Sequence, residues 1–260
     1  NREKNDIQPM LDVRLFRNTV FTGAITANLI SMMVDVGFIY FASQHLQLVS
    51  GLPPMYAGIL LIPGTLATII AGLVIARVAV HFHPAQVVSF GLALNAAAFA
   101  VLAFLGAHND VVIILIFIVL GTGIGIAQTI SNDLMLSSVP PRKAGAASAI
   151  SETSYETGAV LGTVIIGGML TAIYRANVVM PTGLDETLAD HAHETLGGAV
   201  TVAHHVGGEQ ANQLLSSAFA AFDSGVVVSS AFSAVLMGVM AVISYLMIRK
   251  APREMKPAEH

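Results

Sequence analysis

The chain has 260 residues, 55% of them hydrophobic and 11% charged, against about 25% charged in soluble domains, and its mean hydropathy is +0.74. Such a composition excludes an ordinary water-soluble globule and points to a protein solvated by lipid. The formal net charge of −4 offers nothing to nucleic acid, and the absence of Cys removes disulfide frameworks, thiolate metal sites and cysteine nucleophiles.

The opening NREKNDIQPM has neither an initiator Met nor a cleavable signal pattern, so residues 1–17 read as a cytoplasmic lead-in within a longer polypeptide. Six stretches then reach the roughly 20 apolar residues that cross a bilayer as a helix. They are residues 18–43, 55–80, 85–106, 111–132, 145–174 and 224–248. Continuous apolar runs of this length are unlike the alternating segments of about 10 residues found in barrel strands. The expectation is an all-α membrane protein with six transmembrane helices, five of them within 18–174. Residues 175–223 read as an extracytoplasmic helical loop, 224–248 as the last span and 249–260 as a cytoplasmic tail.

Orientation follows from Lys and Arg. Arg2, Lys4, Arg14, Arg17, Arg77, Arg142, Lys143, Arg249, Lys250, Arg253 and Lys256 all fall on one side of a six-span chain, and only Arg175 falls opposite. The positive-inside rule assigns that crowded side, with both termini of the segment, to the cytoplasm. With no Trp in the chain, anchoring at the lipid interface rests on Tyr, Lys and Arg. Pro63 lies inside the second span and predicts a kink there. Leu184, Leu188, Ala192, Leu196 and Val200 recur every four residues in the outer loop, as in a pair of surface helices.

Polar residues inside the spans are the candidates for chemistry. The first span carries Asn28, Ser31 and Asp35 at helical spacing, with Tyr40 beyond them as a possible cavity wall. The fourth carries Gly121, Gly125, Gln128 and Asn132 on one face, the two glycines suited to helix packing. The fifth carries Ser148, Glu152 and Glu156 at i, i+4 and i+8, with Tyr155 beside them and Gly158 and Gly162 as small packing surfaces. An intramembrane acid is costly and normally faces a bundle interior or an aqueous cavity. Glu152, Glu156 and Asp35 are therefore candidates for proton coupling or cation recognition. Asn28, Ser31, Tyr40, Gln128, Asn132, Ser148 and Tyr155 are candidates for the substrate cavity. The competing reading makes each of these a packing or hydrogen-bonding residue alone. His81, His83, His191, His193, His204 and His205 have no metal-ligand spacing, so no metal and no cofactor are expected. No phosphate-binding loop and no GxSxG elbow occurs, which argues against ATP-driven transport and against an enzyme.

Three segments then carry a likeness: LDVRLFRNTVFTGAI, FASQHLQLVSGLPPMYAGILLIPG and RKAGAASAISETSYETGAVLGTVIIGG. Together they resemble the fourteen-span drug:proton antiporters of the major facilitator superfamily, multidrug exporters of the QacA and LfrA type. The resemblance runs from about Leu11 to Lys250. It implies one half of a major facilitator fold, built as 3+3 inverted repeats in the plasma (inner) membrane. It further implies protons, lipophilic small molecules, membrane lipids and an N-terminal half as partners. By the same likeness Glu152 and Glu156 match acids implicated in proton coupling. Ser151 and Thr68 stand near positions where some relatives carry an acid, and Asp35 has no such counterpart. GLVIARVAVHFHP resembles the superfamily's cytoplasmic GxxxDRxGR loop but has Ala76 at the Asp position, so the gating role of the intact motif is not assigned to it. The expected function is proton-coupled efflux of hydrophobic, cationic compounds. Export of lipids or an endogenous metabolite, and a non-transporting membrane scaffold, are the alternatives.

Overall fold

The computed structural model describes residues 13–107 and 109–250. The basic residues Arg2, Lys4, Arg253 and Lys256, with the ends of the lead-in and tail, lie outside the described residues. No strand occurs among the described residues, and six helical segments are long and apolar enough to cross a membrane. The chain is a multi-pass, all-α membrane protein.

Span one is α1 (Thr19–Gln44) continued by a π-helical turn, His45–Val49. Spans two, three and four are α2 (Pro54–Val78), α3 (Pro84–Leu105) and α4 (Asp110–Ser137). Span five is α5 (Ala144–Leu161) joined to α6 (Gly168–Asn177) through a second π-helical stretch, Gly162–Gly167. Two short helices follow, α7 (Glu186–Glu194) and α8 (Leu196–Val206), and then α9 (Gly208–Ile248), which carries span six.

Local chemistry sets most of the starts. Asn18 caps α1 by accepting from the Val20 amide at 3.0 Å, and Asn109 caps α4 by accepting from Val111 at 2.8 Å. Pro54 and Pro84 occupy first-turn positions, where a missing amide costs no hydrogen bond. The helix α2 runs through Pro63 without a break.

The longest helix differs from expectation. It has 41 residues and begins at Gly208, not near Ser224. Residues 208–223 are amphipathic, with Ala211, Leu214, Ala218, Ala221 and Phe222 buried while Glu209, Gln213 and Ser216 are exposed. Their polarity hides the helix from a hydropathy reading. Between Leu184 and Val206 the chain forms a pair of helices, as the four-residue spacing suggests, with Thr195 ending α7 and capping α8. The α7–α8 hairpin is tied to the bundle: the Tyr174 hydroxyl donates to the Ala192 carbonyl at 2.8 Å, and Arg175 Nε donates to the Glu194 carbonyl at 3.0 Å.

The packing shows the internal repeat. Helix α1 packs on α5 and α9; α4 packs correspondingly on α2 and α3. Of the remaining principal contacts, α1 with α4 and α3 with α9 join equivalent spans, while α6 with α9 has no comparable counterpart between α2 and α3. Exchanging spans one, two and three with four, five and six therefore maps the contacts made by α1 and α4 onto one another, as a 3+3 repeat requires. At the centre Phe38 of α1 stacks on Phe117 of α4 at 5.1 Å and meets Phe99 of α3 at 6.3 Å.

Glycine permits two tight seams. A Cβ at Gly121 or Gly125 of α4 would strike the Gly64 or Thr68 carbonyl of α2. A Cβ at Gly158 of α5, or at Gly162 where the π-helical stretch begins, would strike the Leu29 or Met33 carbonyl of α1. In hydrocarbon such close backbone contact supplies much of the attraction between helices.

Two predictions follow from these contacts. Gly125→Val and Gly162→Val should each lower the detergent-melting stability of the protein by about 1–3 kcal/mol, the usual cost of overpacking. Gly168→Val, where an added Cβ meets nothing within 4 Å, is the control and should be close to silent. Equal melting of all three variants would show that the seams are loose. At the α7 start, hydrogen bonds from the Thr187 hydroxyl and amide hold the Asp185 carboxyl below its usual range. A depressed folded pKa stabilises above the unfolded value and is lost as pH falls through the folded one. Protection of the Thr187 and Ala189 amides relative to their intrinsic exchange rates should fall below about pH 4, and Asp185→Ala should show that low protection at every pH.

Candidate functional site

The seam between α1 and α5 fixes how α5 is turned. With Gly158 and Gly162 against α1, Glu156 lies two residues from Gly158, about 200° round the helix. Ala147, Ile150, Ser151, Ser154 and Gly158 are buried, while Ser148, Glu152 and Glu156 are exposed on the opposite face. Neither glutamate makes a hydrogen bond or ion pair among the described residues. Both therefore project from the open side of the six-helix unit, within the segment Pro141–Asn177 that crosses the membrane.

Beside them three spans are tied by one polar network. Asn28 Nδ2 of α1 donates to Asn132 Oδ1 of α4 at 3.0 Å, and Asn132 Nδ2 donates to the Tyr155 hydroxyl of α5 at 2.9 Å. Ser151 Oγ reaches the same Asn132 oxygen at 3.4 Å. Interhelical hydrogen bonds of this kind are worth about 0.6 kcal/mol on average in a membrane, up to about 1.7. The more telling effect is geometric: the network pins the helix that carries the two acids, between Glu152 and Glu156, to its neighbours.

Asn132 also borders a groove of about 370 Å³ between α2 and α4, where Gln128, Thr129, Thr68 and Gly72 complete the polar and small lining. Asn28, Asn132, Tyr155 and Gln128 thus gather in one region of the bundle. Ser31 is fully buried between helices. Tyr40 is set apart. Its ring lies over Gly167, and it borders a crevice of only about 30 Å³ near Thr171 and Tyr174.

The three acids do not converge. Gly158 abuts Leu29 and Gly162 abuts Met33, so α1 and α5 run side by side in the same direction. On that register Asp35 is level with about residue 164, some eight residues beyond Glu156. At about 1.5 Å per residue the separation along the bundle is about 12 Å. Asp35 is half-buried and lies on the open stripe of α1 with Ile39 and Tyr40. It belongs to another level of the same open face.

The sequence reading missed Ser151 as a member of the network, treating it only as a place where an acid is lacking. It also missed a polar cluster at the other end of the bundle. There the buried His45 contacts Asp110 Oδ1 through Nε2 at 3.1 Å, and Ser50 Oγ donates to that oxygen at 2.6 Å. The signal available was a single His at the end of an apolar run. Among the described residues no group of three His, Asp or Glu is placed to hold a metal ion.

Comparison with known proteins gives this arrangement a family. The Major Facilitator Superfamily profile matches residues 3–163. The multidrug efflux pump LfrA of Mycolicibacterium smegmatis is 44% identical over 251 residues, 96% of this chain and 50% of its own length. The methyl viologen resistance protein SmvA of Salmonella typhimurium is 31% identical over 95% of this chain and 50% of its own. The tetracenomycin C resistance and export protein of Streptomyces glaucescens is 24% identical over 99% of this chain and 49% of its own. The chain thus spans about half the length of these relatives. Among solved structures, a bacterial homolog of the human lysosomal transporter Spinster, inward-facing and unoccupied, superposes with a TM-score of 0.68 at 16% identity. That match covers 99% of this chain and 54% of the other, and it agrees with the fold. The chain belongs to the Major Facilitator Superfamily, a family of membrane transporters and not of enzymes.

Proposed function

We propose that this chain is the C-terminal half of a proton-coupled multidrug efflux antiporter, exporting hydrophobic, cationic compounds across the plasma membrane. The observation that carries the reading is the exposed, unpaired placement of Glu152 and Glu156 on the open face of a membrane-spanning helix. A charged side chain costs about 2.5–3.5 kcal/mol at the centre of a helix facing lipid. Two such groups one turn apart are tolerable on a surface that lines water and is closed by other protein. An N-terminal half of the same transporter supplies that other wall. The names of the relatives, an efflux pump and a methyl viologen resistance protein among them, support an organic cation as cargo. The charge distribution supports both ends of this segment facing the cytoplasm.

The cycle follows from competition for the acids. Ionised Glu152 and Glu156 hold the cation from the cytoplasmic side. Protons arriving from outside neutralise them, release the cargo outward and are then given up inward. Each proton moving inward gains about 2.3 kcal/mol per 100 mV of membrane potential. Asp35, higher on α1, lies on the path between the outer end and the glutamates and serves as a relay or second cation contact. Gln128, Asn132, Ser148 and Tyr155 supply polar contacts to cargo or water, and lipid seals the outer surface.

The test uses proton-driven ethidium efflux in vesicles bearing the complete transporter. Glu156→Gln and Glu152→Gln should each cut efflux at least tenfold, and the double variant should lose its pH dependence. Undiminished, normally pH-dependent efflux in the double variant would sink the proposal. Asn132→Leu should behave differently. It removes the network and costs about 0.6–1.7 kcal/mol of stability, lowering the efflux rate while leaving the pH optimum where it was.

A further inference from the structure

At the end of the bundle remote from Arg142 and Lys143, a second hollow of about 710 Å³ opens between the close of span one, the start of α4 and the middle of α9. The volume is in the range of sites for drug-sized molecules, roughly 300–1,000 Å³. Its walls combine two chemistries. Phe219 and Phe222 of α9 and Val49 of span one supply apolar surface, and Asp110 and Asp223 supply negative charge with no Lys or Arg among the lining residues.

Both carboxylates are held by the fold. Asp110 Oδ1 takes the Ser50 hydroxyl at 2.6 Å and His45 Nε2 at 3.1 Å, with His45 only 4% exposed and Asp110 35% exposed. Asp223 Oδ1 accepts from the Ala107 amide at 2.6 Å, which ties the α3–α4 turn to α9. The surroundings reinforce the sign. Among the described residues Arg175 alone of Lys and Arg falls toward this end, and its Nε donates to the Glu194 carbonyl.

We infer that this cleft is a binding site for an ammonium group carried on an apolar body, separate from Glu152 and Glu156. It lies on the α9 side of the α1–α4 pair, whereas the two glutamates project from the open face of α5. The paired acids receive the charged head, and the phenyl rings receive the chain, with cation–π attraction adding to the hold. A free amphiphilic cation and the amine headgroup of a membrane lipid share this chemistry.

The experiment measures equilibrium binding of dodecyltrimethylammonium to the complete polypeptide in nanodiscs. It is done in a Glu152→Gln, Glu156→Gln background, so that the central acids contribute nothing. Saturable binding should persist there. Asp110→Asn with Asp223→Asn keeps the acceptors for Ser50 and Ala107 but removes both charges, and should weaken that binding at least tenfold. Ala220→Trp, at an exposed lining position, should do the same by filling the cleft. Phosphatidylethanolamine added to phosphatidylglycerol nanodiscs separates the sources. Competition with the probe identifies a lipid amine as occupant, and its absence identifies a free cation; either supports the site. Binding unchanged in both cleft variants overturns it, as does binding already abolished by the two glutamate substitutions alone.

Discussion

Close backbone contact at glycine governs this molecule more than any single polar group. Lipid is as apolar as the helices it surrounds, so burial of Leu or Ile gives little net attraction between spans. What remains is dispersion, which falls away steeply with a gap of even half an ångström. Gly121 and Gly125 let α4 lie on α2, and Gly158 and Gly162 let α5 lie on α1. Each seam also fixes the rotation of its helices. Once Gly158 faces α1, Glu156 has no choice but to face away, and the chemistry of the open side is decided by packing on the closed side.

The repeat makes the contrast between the flanking helices informative. Helices α2 and α5 hold equivalent places, yet their open faces differ. On α2 that surface shows Ile59, Ile62, Leu66, Ile69, Ile70 and Leu73. On α5 it shows Ser148, Glu152, Thr153, Glu156 and Thr157 before turning apolar at Val160 and Val164. The same scaffold thus offers one greasy wall and one acidic wall. That combination is what the proposed cargo, an apolar body with a positive charge, would require, and it arises by substitution on a symmetric frame with no change of fold.

The spans were legible in the sequence because charge is so rare in them, and the packing glycines because they recur every four residues. Pairing was less legible. Asn28, Asn132 and Tyr155 each stand out as polar residues in lipid, but their union depends on helix register across gaps of 104 and 23 residues. Ser31 and Tyr40 share the helix and the polar character that drew attention to Asn28, and helix rotation, with a rise of about 18 Å in the case of Tyr40, separates their places from it. The start of α9 was hidden because residues 208–223 are too polar to read as a span although they continue its helix. The two π-helical stretches have no compositional mark, since the extra residue in the turn is selected by tertiary contacts.

The π-helical stretch Gly162–Gly167 lies just beyond Glu156 and divides span five into a polar lower part and a more apolar upper one. Widened turns of this kind recur at functional sites because they shift register without ending the helix. On the proposed cycle this is where the helix can accommodate a change in the state of the acids below. The energies involved are commensurate. One proton crossing about 100 mV yields about 2.3 kcal/mol, comparable to the cost of about 2.5–3.5 kcal/mol that membrane insertion sets on a charged side chain at a helix centre. On the proposed cycle the membrane potential and the wetting of the open face therefore act on the two acids with similar strength, which would let cargo exchange against protons without a large stored strain.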